Sequence, residues 1–268
     1  MIPATDRPQL RLSRDRKISP YVVRARSGKS FRALPNAFGL PAGRAASCPG
    51  ATRVCETVCY AGRLELAYTS LHRMLEHNLR CLRDCGDDVA EMVSILAPLV
   101  DEFVAECERA ELRAGRPVPR WFRIHWDGDF YSLPYAQAWR QTVLRYPEVR
   151  FWAYTRSFRP ALNVVPVLRG VPNLTVYLSV DVANYRDAQR VLAECPETLV
   201  SVLAPTVEAG KVLYRALTGR SAAACPEKVG KLPLVTARGE GACITCGLCL
   251  EGRKGVVFPA VHGQLKPG

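Results

Sequence analysis

The sequence predicts an α/β fold, specifically a partial (β/α) barrel with a cysteine-rich C-terminal cap. One observation in the middle of the chain predicts the parallel sheet. Between Trp121 and Leu217, four short segments rich in β-branched and aromatic residues alternate with segments of helical or loop character. Strands and helices that alternate at this spacing form βαβ units and a parallel sheet. Right-handed crossovers curl such a series into a barrel or part of one.

The chain in front of this alternation is predicted to be irregular at first and then helical. Residues 1–47 contain one short strand candidate, near Tyr21–Val23, and a cysteine loop follows at 48–60. Apolar residues at helical spacing predict helices over Leu64–Arg83 and Asp87–Leu112.

The barrel segment follows in order. The predicted strands are 121–126, 149–154, 174–180 and 198–204, and the segments after them are a helix at 134–145, a short helix or loop at 160–169, and helices at 184–194 and 207–217. A last strand candidate, GVVFPAVH, begins at Gly255. We therefore divide the chain into a basic, irregular segment (1–47), a partial barrel with the cysteine loop (48–220) and a cysteine-rich cap (221–268).

The net charge of +12 has two explanations. A GC-rich genome inflates arginine, which far outnumbers lysine here, and attraction to nucleic acid has the same signature. The basic residues of the first 32 positions fit an arm over phosphates and a solvated terminus equally well. Because no apolar run approaches about 20 residues and no apolar h-region opens the chain, we expect a cytoplasmic protein without a membrane partner.

Eleven cysteines are many for a reducing compartment, and an odd number cannot pair completely within the chain. Clustered cysteines in such a compartment indicate metal or redox chemistry. The first cluster is Cys48, Cys55 and Cys59, which offers three thiolates on a loop in front of a helix. Helix N-termini and nearby arginines favour thiolate and hence metal binding.

A second cluster lies near the carboxyl end, at Cys243, Cys246 and Cys249, and Cys225 upstream could supply a fourth ligand. Four thiolates suit zinc or an iron–sulfur cluster equally by count. The C-x2-C-x2-C run with a separate Cys-Pro favours iron–sulfur, and zinc stays open. The other cysteines are expected to fill the core; they are Cys81, Cys85, Cys107 and Cys195.

Polar side chains follow the predicted strands at the ends where a parallel barrel places its active residues. The first strand leads to Asp127, Gly128 and Asp129, the second to Arg156, and the third to Ser179 and Asp181. The sequence therefore predicts one shared pocket at these ends. Alternatively, Asp127 and Asp129 only cap the helix that follows.

Several short motifs resemble the cysteine-rich family of mycobacteriophage gene product 88. They are CPGATRVCETVCYA, HWDGDFYS, YTRS, YLSVD and the late CxxCGLC with VVFPAVH, spread from about residue 47 to the end. Their order is also similar to that of radical-SAM-like iron–sulfur proteins, and this resemblance implies that the partial (β/α) barrel is of radical-SAM type. In those proteins a cysteine loop is followed by a strand that ends in an acidic, glycine-containing motif.

The resemblance implies a [4Fe-4S] cluster on the first three cysteines, with one iron open to S-adenosylmethionine, and a reductant such as a host flavodoxin or ferredoxin. It implies cofactor contacts from Tyr60, Asp127, Gly128, Asp129 and Ser179. In an enzyme, Asp129 and Asp181 would position cofactor or substrate, and Arg156 would pair with a carboxylate or phosphate. The C-x6-C-x3-C spacing departs from the usual CxxxCxxC of radical SAM enzymes, but a longer loop still permits a cluster if its ends can meet.

Three further hypotheses stay open. The two cysteine groups could converge on one cluster instead of holding two centres. The protein could be a non-enzymatic nucleic-acid-binding module in which the metal sites, iron–sulfur or zinc, only stabilise the fold. It could also be a structural protein that binds zinc alone.

Overall fold

The computed structural model describes residues 9–15, 17, 19, 22–24, 31–234 and 242–260. The predicted strand near Tyr21 is present as β1 (Val22–Arg24), which pairs in antiparallel fashion with β2 (Phe31–Ala33). The hypothesis of a flexible basic arm concerns residues that lie largely outside the described ones.

Four helices precede the parallel sheet: α1 (Arg53–Val58), α2 (Tyr60–Ala67), α3 (Thr69–Asp84) and α4 (Val89–Ala114). The single helix predicted over Leu64–Arg83 is wrong, because the chain breaks at Tyr68, whose φ of −130° and ψ of 93° are extended. The cysteine loop also contains a helix, α1. The helix predicted over Asp87–Leu112 is confirmed as α4, which ends at Gly115 in the left-handed conformation that glycine adopts without strain.

The chain then alternates between strands and helices. Its elements are β3 (Trp121–Arg123), α5 (Leu133–Leu144), β4 (Arg150–Thr155), β5 (Phe158–Arg159), β6 (Leu162–Asn163), α6 (Val165–Leu168), β7 (Leu174–Val180), α7 (Tyr185–Glu194), β8 (Leu199–Ala204), α8 (Val207–Thr218), β9 (Ala223–Ala224), α9 (Ala242–Cys246) and β10 (Val256–Pro259). All four predicted barrel strands are present. The short helix or loop predicted over 160–169 is the β5–β6 hairpin followed by α6.

Six of these strands form one curled, parallel sheet in the order β3-β4-β7-β8-β10-β9. β10 lies between β8 and β9, with Val257 in register with Val202 and with Ala224. The parallel partial barrel is thereby confirmed. β9 and β10 belong to the sheet, so the described residues of the predicted cap contribute two strands to the partial barrel, and the late cysteines lie between these strands in the chain.

A further stretch of chain extends the sheet beyond β3. The backbone of Arg123 donates to Asn36 O and accepts from Phe38 N, both at 3.0 Å, and Leu40 N donates to Asp127 O at 3.0 Å. In a parallel pair, one residue forms backbone hydrogen bonds with two residues of the neighbouring strand, as Arg123 does here with Asn36 and Phe38. Residues 36–40 therefore run parallel to β3, with one bridge between Ala37 and Arg123, and lead directly into the cysteine loop.

The main core lies between the sheet and helices α4 and α5. The rings of Phe103 and Phe122 are 5.2 Å apart, and those of Phe122 and Phe151 are 5.6 Å apart. Burying each of these side chains contributes roughly 2–3 kcal/mol. A second cluster under α7 and α8 holds the other half of the sheet, with Val180, Val202 and Val257 at its centre. Both clusters fix the carboxyl ends of the strands at one edge.

Among the described helices, none is both long and apolar enough to cross a membrane.

Candidate functional site at the carboxyl edge of the sheet

Two adjoining cavities open at the carboxyl ends of the strands. The larger has a volume of about 830 Å³ and the smaller about 380 Å³. Eight residues line both: Cys55, Cys59, Tyr60, Arg63, Arg123, Tyr154, Arg156 and Ser179. The two cavities are therefore neighbouring parts of one concave region.

The seven predicted metal-ligating cysteines all line these cavities. Cys48, Cys55 and Cys59 line the larger one, and the smaller one adds Cys225, Cys243, Cys246 and Cys249. The remaining four are buried elsewhere. The fold thus separates the cysteines into the same two classes that their spacing indicates.

Local hydrogen bonds position the first three cysteines. Thr52 caps α1, and its hydroxyl accepts from Cys55 N at 3.0 Å. Cys59 caps α2, and its sulfur accepts from Gly62 N at 3.4 Å. Cys48 is held through its backbone, which donates to Gly43 O at 3.0 Å. Each residue therefore sits at a defined turn of the loop.

A buried ion pair ties this loop to two strands of the sheet. Thr52 Oγ1 donates to Asp181 Oδ2 at 2.5 Å, and Arg156 Nη1 donates to the same oxygen at 2.6 Å. Asp181 follows β7 and is 1% exposed, and Arg156 follows β4. Asp181, predicted to be catalytic, is not among the described residues that line either cavity. Its carboxylate instead accepts hydrogen bonds from Thr52 and Arg156 and so fixes their positions beside the cavities.

Asp129 lines the larger cavity, and its carboxylate bonds to the neighbouring strand exits. Its Oδ1 accepts from Thr155 Oγ1 and Phe130 N, and its Oδ2 accepts from Arg156 N, all at 2.7 Å. Burial raises the pKa of Asp129 to about 6, and these three donors act in the opposite direction. The carboxylate therefore fastens the exit of β3 to the exit of β4. It does not cap the following helix, since Ser132 caps α5.

Gly128 lets this exit pack against the cysteine loop. Its φ is +82°, and a Cβ there would lie 2.6 Å from Ser47 Oγ and 2.7 Å from Leu40 Cβ. Only glycine combines this conformation with this close approach.

The late cysteines surround the smaller cavity from the other side. Cys225 follows β9, and its N–H donates to Val257 O at 2.9 Å. Cys243 and Cys246 lie on the short helix α9, and Cys249 lies in the turn beyond it. Trp152, Tyr177 and Val256 of the sheet pack against this segment.

The donor chemistry of both groups suits a thiolate-bound metal, although no three His, Cys, Asp or Glu side chains of the described residues are close enough together to hold one ion. Burial raises the pKa of Cys55 to about 11, against the charge of Arg156, and raises that of Cys249 to about 12. Burial also raises the pKa of Cys48 well above its ordinary value. A metal would have to displace protons from these thiols, so its binding would strengthen as pH rises.

Cations line the wall that both cavities share. Arg123 is 9% exposed, donates to Asp15 Oδ2 at 2.6 Å, and lies 5.3 Å from the ring centre of Trp152. Its Nε has no hydrogen-bond partner among the described residues. Thiolate clusters carry negative charge, which a buried guanidinium at this place would offset.

A carboxyl pair and a histidine complete the larger cavity. The Nδ1 of His72 lies 2.9 Å from Glu65 Oε2, and Ala42 N donates to Glu65 Oε1 at 2.7 Å. Burial, and then the neighbouring charge of Glu65, raise the pKa of Asp127 to about 9. Asp127 Oδ1 accepts from Gly128 N at 2.8 Å, and its buried Oδ2 has no hydrogen-bond partner among the described residues.

The comparisons with known proteins agree on one family. The Gene product 88 family model matches residues 10–252. The chain belongs to the gene product 88 family. It is 38% identical over 250 residues to the Gene 88 protein of Mycobacterium phage L5 and 36% identical to that of Mycobacterium phage D29. In both cases the match covers 93% of this chain and 97% of the relative. No solved structure gives a significant match.

Sequence reasoning missed several residues of this site, among them Thr52, Glu65, His72 and Arg123. Thr52 stands three residues before Cys55, which is the spacing of a helix cap and a usable indication. The seven-residue spacing of Glu65 and His72 indicates one helical face, but the break at Tyr68 removes that argument. For Arg123, nothing in the sequence shows that Asp15 would meet it.

Proposed function

We propose that this gene product 88 protein is an iron–sulfur protein in which Cys48, Cys55 and Cys59 hold a [4Fe-4S] cluster in the larger cavity. Cys243, Cys246 and Cys249, with Cys225, hold a second centre, either a second cluster or zinc, beside the smaller cavity. The observation that carries this proposal is the meeting of all seven cysteines at one edge of the sheet.

The topology supports a radical-SAM-like assignment in particular. Residues 36–40 run parallel to β3 and lead into the cysteine loop, and the chain that leaves β3 passes through Asp127-Gly128-Asp129. That is the order that the resemblance implies. When bound, the cluster would supply one electron for the cleavage of S-adenosylmethionine.

The chain's own residues would prepare and shield this site. Asp181 and Thr52 orient Arg156 toward the cavities, and Asp129 fixes the neighbouring strand exits. Asp127, Gly128, Ser179 and Tyr60 line the larger cavity and are the proposed contacts of the cofactor. A host flavodoxin or ferredoxin is the proposed reductant, in the cytoplasm of the infected cell.

The test is anaerobic reconstitution with iron and sulfide, followed by analysis of both elements and a visible spectrum with and without S-adenosylmethionine. We expect brown protein with acid-labile sulfide. Cys55→Ser should abolish the first cluster. Cys246→Ser should lower the iron content by half if the second centre is a cluster, and should remove only zinc if the second centre is zinc. Cys195→Ser is the matched control, since this thiol lies at the end of α7 and lines neither cavity.

Two results would contradict the proposal. Stoichiometric zinc without labile sulfide would establish a zinc-only protein. Loss of all iron from Cys246→Ser would show that the two groups converge on one cluster.

A second candidate function is nucleic-acid binding with structural metal sites. The observation that favours it is the row of cations at the cavity mouth, where Lys17, Arg63 and Lys228 lie together. It predicts salt-dependent binding and no formation of 5′-deoxyadenosine by the reduced protein. The two functions are compatible, because an enzyme of this kind could act on nucleic acid.

A further inference from the structure

An exposed aromatic and aliphatic patch borders the larger cavity. Tyr60, Leu64, Leu66 and Tyr68 of α2 and its C-terminal end are 41%, 37%, 90% and 59% exposed. Tyr60 and Leu66 also line the larger cavity. We call these four residues, together with Lys17, Arg63 and Lys228, the rim.

The cations of the rim are only partly neutralised. Lys17 and Lys228 share one carboxylate, Glu227, at 3.2 and 3.9 Å. Arg63 Nη2 donates to the neutral carbonyl of Thr57 at 3.3 Å, and no described carboxylate forms an ion pair with it. The rim therefore presents an excess of positive charge.

The rim also holds one aromatic ring in a fixed position. Lys17 Nζ lies 5.3 Å and Lys228 Nζ 5.6 Å from the ring centre of Tyr60. The hydroxyl of Tyr60 donates to Trp126 O at 3.0 Å, which fixes the ring beside the cavity. A partly exposed ring with two ammonium groups close to it suits a ligand that has both flat faces and negative charge.

We propose that the rim binds single-stranded nucleic acid, with bases stacking on Tyr60 and Tyr68 and phosphates lying on Lys17, Arg63 and Lys228. This inference rests on the proposed function, because the rim borders the cavity in which the cluster is proposed. Single-stranded nucleic acid would then be the class of substrate that reaches this cavity. Charge complementarity favours it, since the chain carries a net charge of +12. An unstacked base is the part of such a polymer that can lie on an exposed ring, whereas a duplex keeps its bases stacked.

The experiment measures fluorescence anisotropy of a labelled oligothymidylate of about 20 nucleotides, and of a duplex of equal length, against the full-length protein. We expect the single strand to bind more tightly. Tyr60→Leu should weaken single-strand binding about tenfold, because a stacked base is lost. Tyr60→Phe should keep the affinity, since it retains the ring and removes only the hydroxyl.

Charge is tested separately from stacking. Arg63→Ala should make the slope of log affinity against log salt less steep by about 0.7, the value for one phosphate contact on a single strand. Arg150→Ala is the matched control: it removes an exposed arginine at the first residue of β4, at the opposite edge of the sheet, and should leave the slope unchanged.

Two outcomes would overturn the inference. One is equal affinity of wild type and Tyr60→Leu for the single strand. The other is displacement of the oligonucleotide by polyglutamate at equal charge concentration, which would indicate an acidic protein partner. Iron content is measured on the same samples. Tyr60-dependent binding by iron-free protein would support the inference while the cluster proposal fails. Iron-loaded protein whose binding does not depend on Tyr60 would support the cluster proposal while the inference fails.

Discussion

Single residues at the strand exits carry unusual conformations that shape the site. His125, two residues after β3, has a φ of +60°, and Gly128 has +82°. A left-handed conformation costs a side chain such as histidine free energy, which the surrounding packing has to supply. His125 is 3% exposed, and its Nε2 lies 2.8 Å from the hydroxyl of Tyr135. Together these turns direct the chain from β3 toward the cysteine loop.

The first prediction concerns the pH dependence that His125 brings. Burial, and then the charge of Arg123, lower its pKa to about 3, so the folded protein keeps it neutral. Above pH 6.5 both folded and unfolded states are neutral at this residue, and it has no effect. Below that pH only the unfolded state takes up the proton, so the free energy of unfolding should fall, by about 2–3 kcal/mol near pH 4.5.

Denaturant unfolding of wild type and His125→Asn between pH 7 and about pH 4.5 checks it. Asparagine tolerates the left-handed conformation but does not titrate. The variant should be less stable at pH 7, and the gap should narrow as pH falls. Other groups, such as Asp129 with its raised pKa, affect both proteins equally and cancel in the difference. A constant gap across this range would show that His125 is not held neutral.

At the scale of elements, the short helix α1 connects the first cysteine group to the sheet. Its cap, Thr52, bonds both to Cys55 N and to Asp181, so one hydroxyl fixes the helix start and the distance of the loop from β7. Gly50 packs against the backbone of Arg156 at the same place. The loop thus owes its position to strands that follow it by more than a hundred residues.

The second prediction is that Thr52→Val weakens both stability and cluster retention. The substitution removes a cap and leaves the buried Asp181–Arg156 pair without its third member, at a cost of roughly 1–3 kcal/mol. Iron per chain after reconstitution should fall with it. Thr57→Val is the matched control in the same helix, since its exposed hydroxyl bonds only to Arg53 O in the described structure. Equal iron content in the two variants would count against the role of Thr52.

At the scale of the whole molecule, the sheet brings together cysteines from the two ends of the chain. The early group follows residues 36–40, at one end of the sheet, and the late group lies between β9 and β10, at the other. Curling of the sheet turns both groups toward the same concave region. A metal on the late group would therefore fix the segment between β9 and β10 beside the sheet.

The third prediction follows from this linkage. Removing metal by chelation under anaerobic conditions should lower the melting temperature by at least about 5 °C, because a ligand that binds only the folded state stabilises it. Limited proteolysis of the segment from Cys225 to Gly252 should become faster, while α4 stays protected by its buried core. Identical cleavage patterns with and without chelator would show that this segment holds no metal.

The sequence by itself determined the alternation of strands and helices, because short apolar strands and amphipathic helices each have a local period. It also separated the seven cavity cysteines from the four core ones, because spacing along the chain is a local property. Only the tertiary structure decided that residues 36–40 join the sheet, that β10 lies between β8 and β9, and that Arg123 meets Asp15. These depend on contacts between residues far apart in sequence, whose geometry no local pattern encodes. The sequence did not predict the break at Tyr68, because the apolar periodicity continues across this residue although the helical conformation of the backbone does not.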